Sequence, residues 1–337
     1  MDKLTKIGLS ALCGSLAVVA SANAGSMTIS GGATATYASN EKTTTGNPIG
    51  MDSGLTFGGS GELDNGTTFS VAITHADKNT FSSSSITMDM PSLGKVIIDQ
   101  GAGGVGLDRI DDMMPTAWEE TTGTSVGTGM VTIAGVSGSP SIEWTPTFMP
   151  EGVALNLAYT PHASGASNND KGFSGADTGV GNGYDAVVTH TGVEGLTMFA
   201  GMSKINQEAG GSTHTGDKSE WGVGFTYAIG GATVGYQSTK TNLAAEDSSA
   251  NFYDNSAYGV SFAVNDDLSI SYGEHKSMKG ANDGSANVEV TASSFQIAYS
   301  MGGASLKFAE TSVDNATYSS TAANDFSGRL ISLGLAF

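Results

Sequence analysis

Large apolar residues alternate with small or polar residues, with a period of two, over much of the chain. In EWGVGFTYAI (220–229), for example, Trp221, Val223 and Phe225 alternate with glycine and threonine. Successive side chains of a strand point to opposite faces, so this pattern predicts a strand with one apolar face and one small, polar face. Similar segments are residues 27–37, 257–264 and 268–273, and the final residues LISLGLAF (330–337).

Short and long connections alternate between these segments. The short ones contain the Gly, Asn, Asp or Pro that tight hairpins need, and they are residues 63–66, 90–94, 147–152, 192–195, 230–231, 264–267 and 302–303. The long ones are residues 39–50, 77–81, 101–139, 161–182, 204–218, 241–253, 276–287 and 312–325. Seven short turns and eight long loops predict sixteen strands, with every long loop at the same end of the sheet.

This arrangement predicts an all-β fold, a closed antiparallel transmembrane β-barrel with short periplasmic turns and long outer loops. Every backbone N–H and C=O group in hydrocarbon needs a partner, so the last strand should pair with the first, near residues 27–37. The apolar faces should contact lipid. The small, polar faces should line a water-filled lumen, for which sixteen strands leave enough room.

Two segments depart from the simple alternation. Val288 and Val290 share one face, whereas Phe295 and Ile297 share the other, which predicts a bulge or a later strand start. Arg329 falls on the apolar face of the last segment. A lipid-facing arginine is costly at the membrane centre but cheap near the interface, so we expect Arg329 at the outer rim or turned inward by a bulge.

The first 24 residues have the pattern of a secretory signal peptide. Lys3 and Lys6 precede an apolar stretch at residues 7–20, and an A-x-A cleavage site follows at residues 22–24. The mature chain is therefore predicted to be a single domain, residues 25–337. The only cysteine, Cys13, lies in the signal segment, so no disulfide framework is expected.

The charge balance is strongly acidic. The chain has 33 acidic and 14 basic residues, a formal net charge of −19, and only two arginines, Arg109 and Arg329. Such a surface repels nucleic acid and favours cations. A nucleic-acid partner is therefore not expected.

Residues 101–139 form the longest predicted connection, and structureless loops above about 12–15 residues are usually functional. The segment contains five acids and one base: Asp108, Asp111, Asp112, Glu119, Glu120 and Arg109. As the third long loop of the predicted barrel, it has the position of an inward-folded constriction loop, which Met113, Met114 and Trp118 could pin to the wall. Strand parity points Lys95, Asp99 and Lys307 into the same lumen. Asp108, Asp111 and Asp112 could also hold a structural Ca²⁺, which takes oxygen ligands.

No enzyme motif is evident in the chain. It contains no H-E-x-x-H, G-x-S-x-G or phosphate-loop signature, so an enzyme is not predicted and no organic cofactor is expected. The alternative to a barrel is a secreted or surface-layer β-protein that acts as a binding or structural module.

The mature chain resembles the general diffusion porins of the Gram-negative outer membrane, the alphaproteobacterial type in particular. The shared features are the signal peptide, the sixteen alternating segments, the long acidic third loop and the terminal LISLGLAF with Phe337. The resemblance implies a homotrimer of water-filled barrels, exported through the periplasm to the outer membrane and its lipid, that passes small hydrophilic solutes. It also implies that residues 101–139 narrow the pore and that Phe337 is recognised during membrane assembly.

The chain departs from that family in one respect. The family opposes its acidic loop with a cluster of basic residues on the wall, whereas Lys95 and Lys307 are the only inward-facing bases predicted here. Carboxylates lining a narrow passage concentrate cations and exclude anions. We therefore expect a water-filled channel that prefers cations.

Overall fold

The computed structural model describes residues 25–41, 46–77, 82–124, 127–163, 180–207 and 214–336. The predicted signal segment and Phe337 lie outside the described residues. The strands are β1 (Ser26–Asn40), β2 (Ile49–Glu62), β3 (Thr68–Ala76), β4 (Ser83–Met90), β5 (Gly94–Gln100), β6 (Ser141–Thr145), β7 (Val153–Thr160), β8 (Val180–Val193), β9 (Leu196–Gln207), β10 (Lys218–Ile229), β11 (Ala232–Asn242), β12 (Phe252–Ala263), β13 (Leu268–Gly280), β14 (Val288–Met301), β15 (Ala304–Asp314) and β16 (Phe326–Ala336). Short 3₁₀ turns occur at Gly106–Ile110, Ala316–Tyr318 and Ala322–Asn324.

The sixteen strands form one closed antiparallel barrel in which each strand pairs with its neighbours in sequence. Closure occurs between β1 and β16, where Ala35 lies opposite Leu333 and Tyr37 lies opposite Ile331. The last strand is therefore held along its length by the first, as predicted. No sheet edge remains to template aggregation.

The connections follow the predicted alternation. The seven short turns lie at one end of the barrel, and the eight long connections lie at the other. The shortest turns are two residues long, as between β10 and β11, where Gly230 takes a φ of 59° that favours glycine. The longest connection, residues 101–140, is called loop 3 below.

The predicted apolar faces point away from the barrel. On β10, Trp221, Val223 and Phe225 are 40–48% exposed, whereas Glu220 and Gly222 on the opposite face are buried. Phe199 is an exception, because it falls on the small, polar face of β9 and is 2% exposed inside the barrel. The bulk of that side chain is accommodated by the interior, as described below.

Both alternatives predicted for residues 288–299, a bulge and a later strand start, are wrong, because β14 begins at Val288 and its pairing is regular. The pairing of β13 and β14 runs without a break from Leu268 opposite Tyr299 to Lys279 opposite Val288. Val288 and Val290 point inward because they pack in an apolar cluster inside the barrel. Irregular pairing occurs instead between β8 and β9, near both ends of the pair.

Arg329 lies on the outward face near the loop end of β16, as one of the two alternatives predicted. It lies opposite Glu310 of β15, and its Nη2 is 2.8 Å from Oε1 of that residue. The guanidinium therefore has a carboxylate partner at the rim. Among the residues that the structure describes, no helix is long and apolar enough to span a membrane, a finding that does not bear on strands.

Candidate pore constriction

Loop 3 leaves the wall after β5, returns to it at β6, and in between runs inside the barrel. The backbone N–H of Ala117 donates to Oγ of Ser271 on β13 at 2.8 Å. On β14, the side-chain amide of Gln296 donates to the carbonyl of Glu119 at 2.7 Å. Because both wall residues face the interior, these contacts confirm the predicted inward-folded third loop.

Glu143 of β6 anchors the start of loop 3. Its side chain is fully buried and accepts a 2.7 Å hydrogen bond from the N–H of Gly106. It also accepts from Nε of Arg109 at 2.9 and 3.1 Å, and the other arm of the guanidinium contacts the same carboxylate. Arg109, predicted to be a base in the pore constriction, pairs with this buried carboxylate, whose isolated burial would be strongly unfavourable.

Two further wall carboxylates hold the outgoing and returning branches of the loop. Oδ2 of Asp185 on β8 accepts from the N–H groups of Leu107 at 2.8 Å and Val136 at 3.0 Å. Oε2 of Glu220 on β10 accepts from the N–H of Gly135 at 2.7 Å. Asp185 thus joins the outgoing and returning branches of loop 3 through charge-assisted hydrogen bonds, which are stronger than neutral ones.

A row of inward-facing glycines provides the surface on which loop 3 lies. We call these residues the glycine track: Gly201, Gly222, Gly235, Gly259 and Gly273, one on each strand from β9 to β13. A Cβ atom on Gly235 would lie 2.6 Å from Cδ of Pro115, and one on Gly259 would lie 2.7 Å from the Pro115 carbonyl oxygen. The small face of these strands is therefore occupied by the loop rather than by water alone.

An apolar cluster fixes loop 3 to the wall next to this track. Leu107, Ile110 and Ile133 of the loop pack with Val187 of β8 and Phe199 of β9, all of them buried. Met113 and Met114 pack against this cluster, as predicted. Trp118 is held separately, since its indole N–H donates to the carbonyl of Phe308 at 3.1 Å.

The predicted loop acids fall into two groups. Asp108 faces the loop itself, where its Oδ2 accepts from the N–H of Gly104 at 2.7 Å and from Oγ of Ser137 at 2.9 Å. Asp111, Asp112 and Glu120 lie close to one another, with Asp112 exposed and the other two half-buried. Glu119 lies beside them, and its Oε1 accepts from the N–H of Glu120 at 3.1 Å.

The proximity of these carboxylates changes their protonation. Burial, followed by the charges of Asp108, Asp112 and Glu120, raises the pKa of Asp111 to about 8. Burial and the charge of Asp112 also raise the pKa of Glu120. Like charges held together in a partly desolvated place disfavour the ionised form. Asp111 is therefore largely protonated at neutral pH.

The predicted wall residues do not converge on one point. Lys307 is near the loop, with Nζ 5.3 Å from the ring centroid of Trp118. Asp99 is buried at the base of the loop, where its Oδ1 accepts from the N–H of Ala102 at 3.1 Å. Lys95 lies at the short-turn end of β5, directly opposite Asp89 of β4. Only Lys307 thus lies close to the acidic part of the loop.

Strands β1–β4 complete the wall between β16 and β5. Thr34, Thr56 and Thr74 share the inward register there, and the hydroxyl oxygens of Thr56 and Thr74 are 3.1 Å apart. These four strands contain no lysine or arginine, and their inward acids are Asp52, Glu62 and Asp89. This part of the inner wall therefore presents hydroxyl groups and carboxylates rather than a cluster of basic residues.

The comparison with known families decides the identity of the fold. A model of the Gram-negative porin family matches residues 8–327, nearly the whole chain. The chain belongs to the Gram-negative porin family. This porin is an outer-membrane protein, which confirms the predicted location and gives no support to a secreted or surface-layer protein. No curated protein sequence matches it.

Solved outer-membrane barrels share the fold of this porin over almost their full lengths. In-vitro folded OmpT, an outer membrane protein of Vibrio cholerae, has 13% identity and a TM-score of 0.68, covering 93% of this chain and 98% of that chain. Salmonella typhi OmpF in complex with daunomycin has 11% identity and a TM-score of 0.67, covering 92% and 97%. An anion-selective porin from Comamonas acidovorans has 14% identity and a TM-score of 0.63, covering 93% and 100%. At such identities the likeness shows the fold alone.

The Ca²⁺ prediction gains no support from the arrangement of this porin's side chains. Within the described ranges, no group of three or more His, Cys, Asp or Glu side chains is placed to hold a metal ion. Asp108, one of the three proposed ligands, already accepts two hydrogen bonds from the loop. The metal site stays a prediction.

The sequence reasoning missed the residues that position loop 3 in this porin. Glu143, Asp185 and Glu220 hold its backbone, and the side chain of Gln237 donates to the carbonyls of Ile110 at 2.7 Å and of the next residue at 3.2 Å. A signal was available, because an acidic residue on the small face of an alternating strand must point inward. Its partner on the loop could not be identified from that parity.

Proposed function

We propose that this porin is a passive, non-enzymatic channel for small hydrophilic solutes and ions, with a preference for cations. The observation that supports this proposal is the set of carboxylates in and around the lumen. Asp112 is exposed, and Glu119 and Glu120 lie beside it. Of the two lysines predicted to face inward, Lys307 is the one that lies near these acids. A narrow passage lined by one sign of charge raises the local concentration of the opposite ion.

The wall formed by β1–β4 supports the same direction of selectivity. Elsewhere, Lys218 of β10, 3.1 Å from Glu220, and Lys279 of β13, 5.6 Å from the centroid of the Tyr318 ring, add bases that were not predicted to face inward. Arg109 is paired with the buried Glu143, so its charge is already compensated. Strands β1–β4 add hydroxyls and acids but no lysine or arginine. The anion-selective Comamonas porin has a similar barrel, so the fold does not set the sign of selectivity and the side chains must do so.

We expect neutralisation of the exposed loop acids to reduce cation selectivity. Reversal potentials are measured in planar bilayers under a salt gradient for the wild type and for Asp112→Asn combined with Glu119→Gln. The cation-to-anion permeability ratio should fall several-fold and more steeply at low salt, because the screening length is about 10 Å at 0.1 M.

The matched control removes an acid from the outer face of the barrel. Asp254 is outward on β12 and lies 3.4 Å from Lys240, so Asp254→Asn should leave the permeability ratio unchanged. Anion selectivity of the wild type, or equal effects of the two changes, would contradict the cation preference. Absence of any conductance step would contradict the channel itself.

We also propose that this porin assembles as the homotrimer implied by its resemblance to general porins. The distribution of ion pairs on the outer surface indicates where one chain would contact another. Outward ion pairs occur near the loop end only between β9 and β16 among the described residues: Lys204–Asp217, Lys240–Asp254, Lys276–Glu274 and Arg329–Glu310. At the corresponding outward positions β2–β6 have no ion pair among the described residues; they include the apolar Ile49 and Met51, with Met51 79% exposed, and the polar His75, Ser84 and Gln100. A rim without ion pairs suits a neighbouring protein better than lipid headgroups.

Light scattering in detergent tests this assembly. The wild type should have the mass of three chains, whereas Met51→Glu should shift the mass toward one chain because a charge would be desolvated at the contact. Asn206→Glu introduces the same charge at an exposed outward position of β9 and should leave the trimer intact. A monomeric wild type, or a trimer that tolerates Met51→Glu, would count against this contact.

A further inference from the structure

A second outer connection folds into the barrel beside loop 3. We call residues 315–325, between β15 and β16, loop 8. Ala316 and Tyr318 of this loop are buried in a cluster with inward side chains of the wall, namely Val290, Ala292, Val313 and Phe326. Met130 and Val131 of loop 3 pack against the same cluster. The outer part of the lumen is thus shared by two loops that contact each other.

The hydroxyl of Tyr318 joins three parts of the molecule. It accepts a 2.9 Å hydrogen bond from the N–H of Val131, on the returning branch of loop 3 (residues 127–140). It also lies 2.6 Å from Oγ of Ser277, a buried wall residue of β13. One side chain of loop 8 therefore ties loop 3 to the barrel wall.

Backbone contacts reinforce this junction. The N–H of Thr317 donates to the carbonyl of Thr128 at 2.8 Å. Gly129 lies against Thr317 so closely that an added Cβ would be 2.7 Å from its Cγ2 and 3.0 Å from its Cα. The two loops are therefore in direct contact from Thr128 to Val131.

Loop 8 adopts an unfavourable backbone conformation at this junction. Asn315, Thr317 and Tyr318 have φ values of 56°, 59° and 57°, in the left-handed region that residues with a Cβ rarely occupy. Such conformations persist only where the surrounding contacts enforce them, and they concentrate at clamps and switch regions. The contacts of Tyr318 and Thr317 are those that can hold loop 8 in this shape.

We propose that Tyr318 is a positioning residue of the channel, which latches loop 8 to the returning branch of loop 3 and keeps both loops against the wall in one conducting arrangement. This inference rests on the proposed channel function. Loss of the hydroxyl leaves the N–H of Val131 and the hydroxyl of Ser277 without this partner, which is unfavourable for buried groups. The strained loop 8 can then relax, and both loops can move within the ion path.

Single-channel recording of Tyr318→Phe tests the latch with the smallest change in shape. We expect a several-fold increase in the frequency of transitions between conductance levels relative to the wild type. Tyr253→Phe is the matched control, because its ring lies 5.3 Å from that of Tyr318, whereas the hydrogen bonds of Val131 and Ser277 described above go to Tyr318. This control should show the same transition frequency as the wild type.

A second pair of variants separates the loops without altering a tyrosine. Gly129→Ala places a methyl group against Thr317, whereas Gly127→Ala places one where no atom lies within 4 Å. The two glycines have φ values of 67° and 65°, so both changes introduce the same backbone strain. Gly129→Ala should raise the frequency of transitions between conductance levels as Tyr318→Phe does, and Gly127→Ala should not.

The outcomes separate the latch from the channel proposal. A wild type without conductance steps overturns the channel, and the latch with it. If the wild type conducts and neither Tyr318→Phe nor Gly129→Ala raises the frequency of transitions between conductance levels, the latch is overturned and the channel proposal is unaffected. An equal increase in transition frequency in the controls Tyr253→Phe and Gly127→Ala would also overturn the latch, because the effect would not depend on this contact. Mobility of heated and unheated samples on gels confirms that each variant has folded.

Discussion

Replacement of Gly235 and Gly259 with valine should displace loop 3 from the wall and reduce the single-channel conductance by roughly half. Both glycines lie under Pro115, and a single added carbon at either position would lie within 2.7 Å of it. Overpacking of this kind costs about 1–3 kcal/mol when the structure must shift. The wall is constrained on both sides by neighbouring strands, so the loop should move into the lumen.

A glycine outside the track provides the control for added bulk. Gly54 shares the inward register of β2, and a Cβ there would have only the His75 carbonyl oxygen within 4 Å, at 3.9 Å. Gly54→Val should therefore change the conductance much less than the double variant. Equal conductance of the double variant and the wild type, with both folded by gel mobility, would show that the track does not position the loop.

Raising the pH from 6 to 9 should increase the cation preference of the wild-type channel. Burial and the neighbouring Asp108, Asp112 and Glu120 raise the pKa of Asp111 to about 8. An acid with a raised pKa is neutral below that value and ionised above it, so the increase adds a negative charge to the loop. Reversal potentials at several pH values should show a step centred near this pKa.

Two variants assign this step to a residue. Asp111→Asn should remove the step while changing the selectivity little at pH 6, where Asp111 is already protonated. Glu119→Gln should lower the selectivity yet retain the step, because Asp111 is intact. A step that persists unchanged in Asp111→Asn would contradict the assignment.

The fold could be predicted well from the sequence because its signals are local. The alternation around Trp221 reflects a property of each strand alone, and the alternation of short and long connections places the loops at one end. Phe199 and Val290 depart from this alternation, because both are large apolar residues buried on an inward face. Their explanation lay in clusters with the loops, since each packs inside the barrel against residues distant in sequence.

The candidate site was predicted less completely. The inward position of its loop is confirmed, and the role of the loop acids in the constriction stays a prediction. The structure also shows that Arg109 pairs with Glu143 and that Lys95 lies at the short-turn end of the wall. Parity states which way a side chain points but not which loop atom it meets. The partners of Glu143 and Asp185 could be found only once the sheet had closed.

The sequence by itself determined the strand number, the outward apolar belt, the closure of β16 on β1 and the acidic character of the third loop. Only the tertiary structure decided which wall residues hold that loop, which of its charges are compensated and how Tyr318 joins it to loop 8. The reason is one of range. Strand alternation depends on neighbours two residues apart, whereas the N–H of Leu107 meets Asp185, 78 residues away, through a position that exists only in the closed barrel.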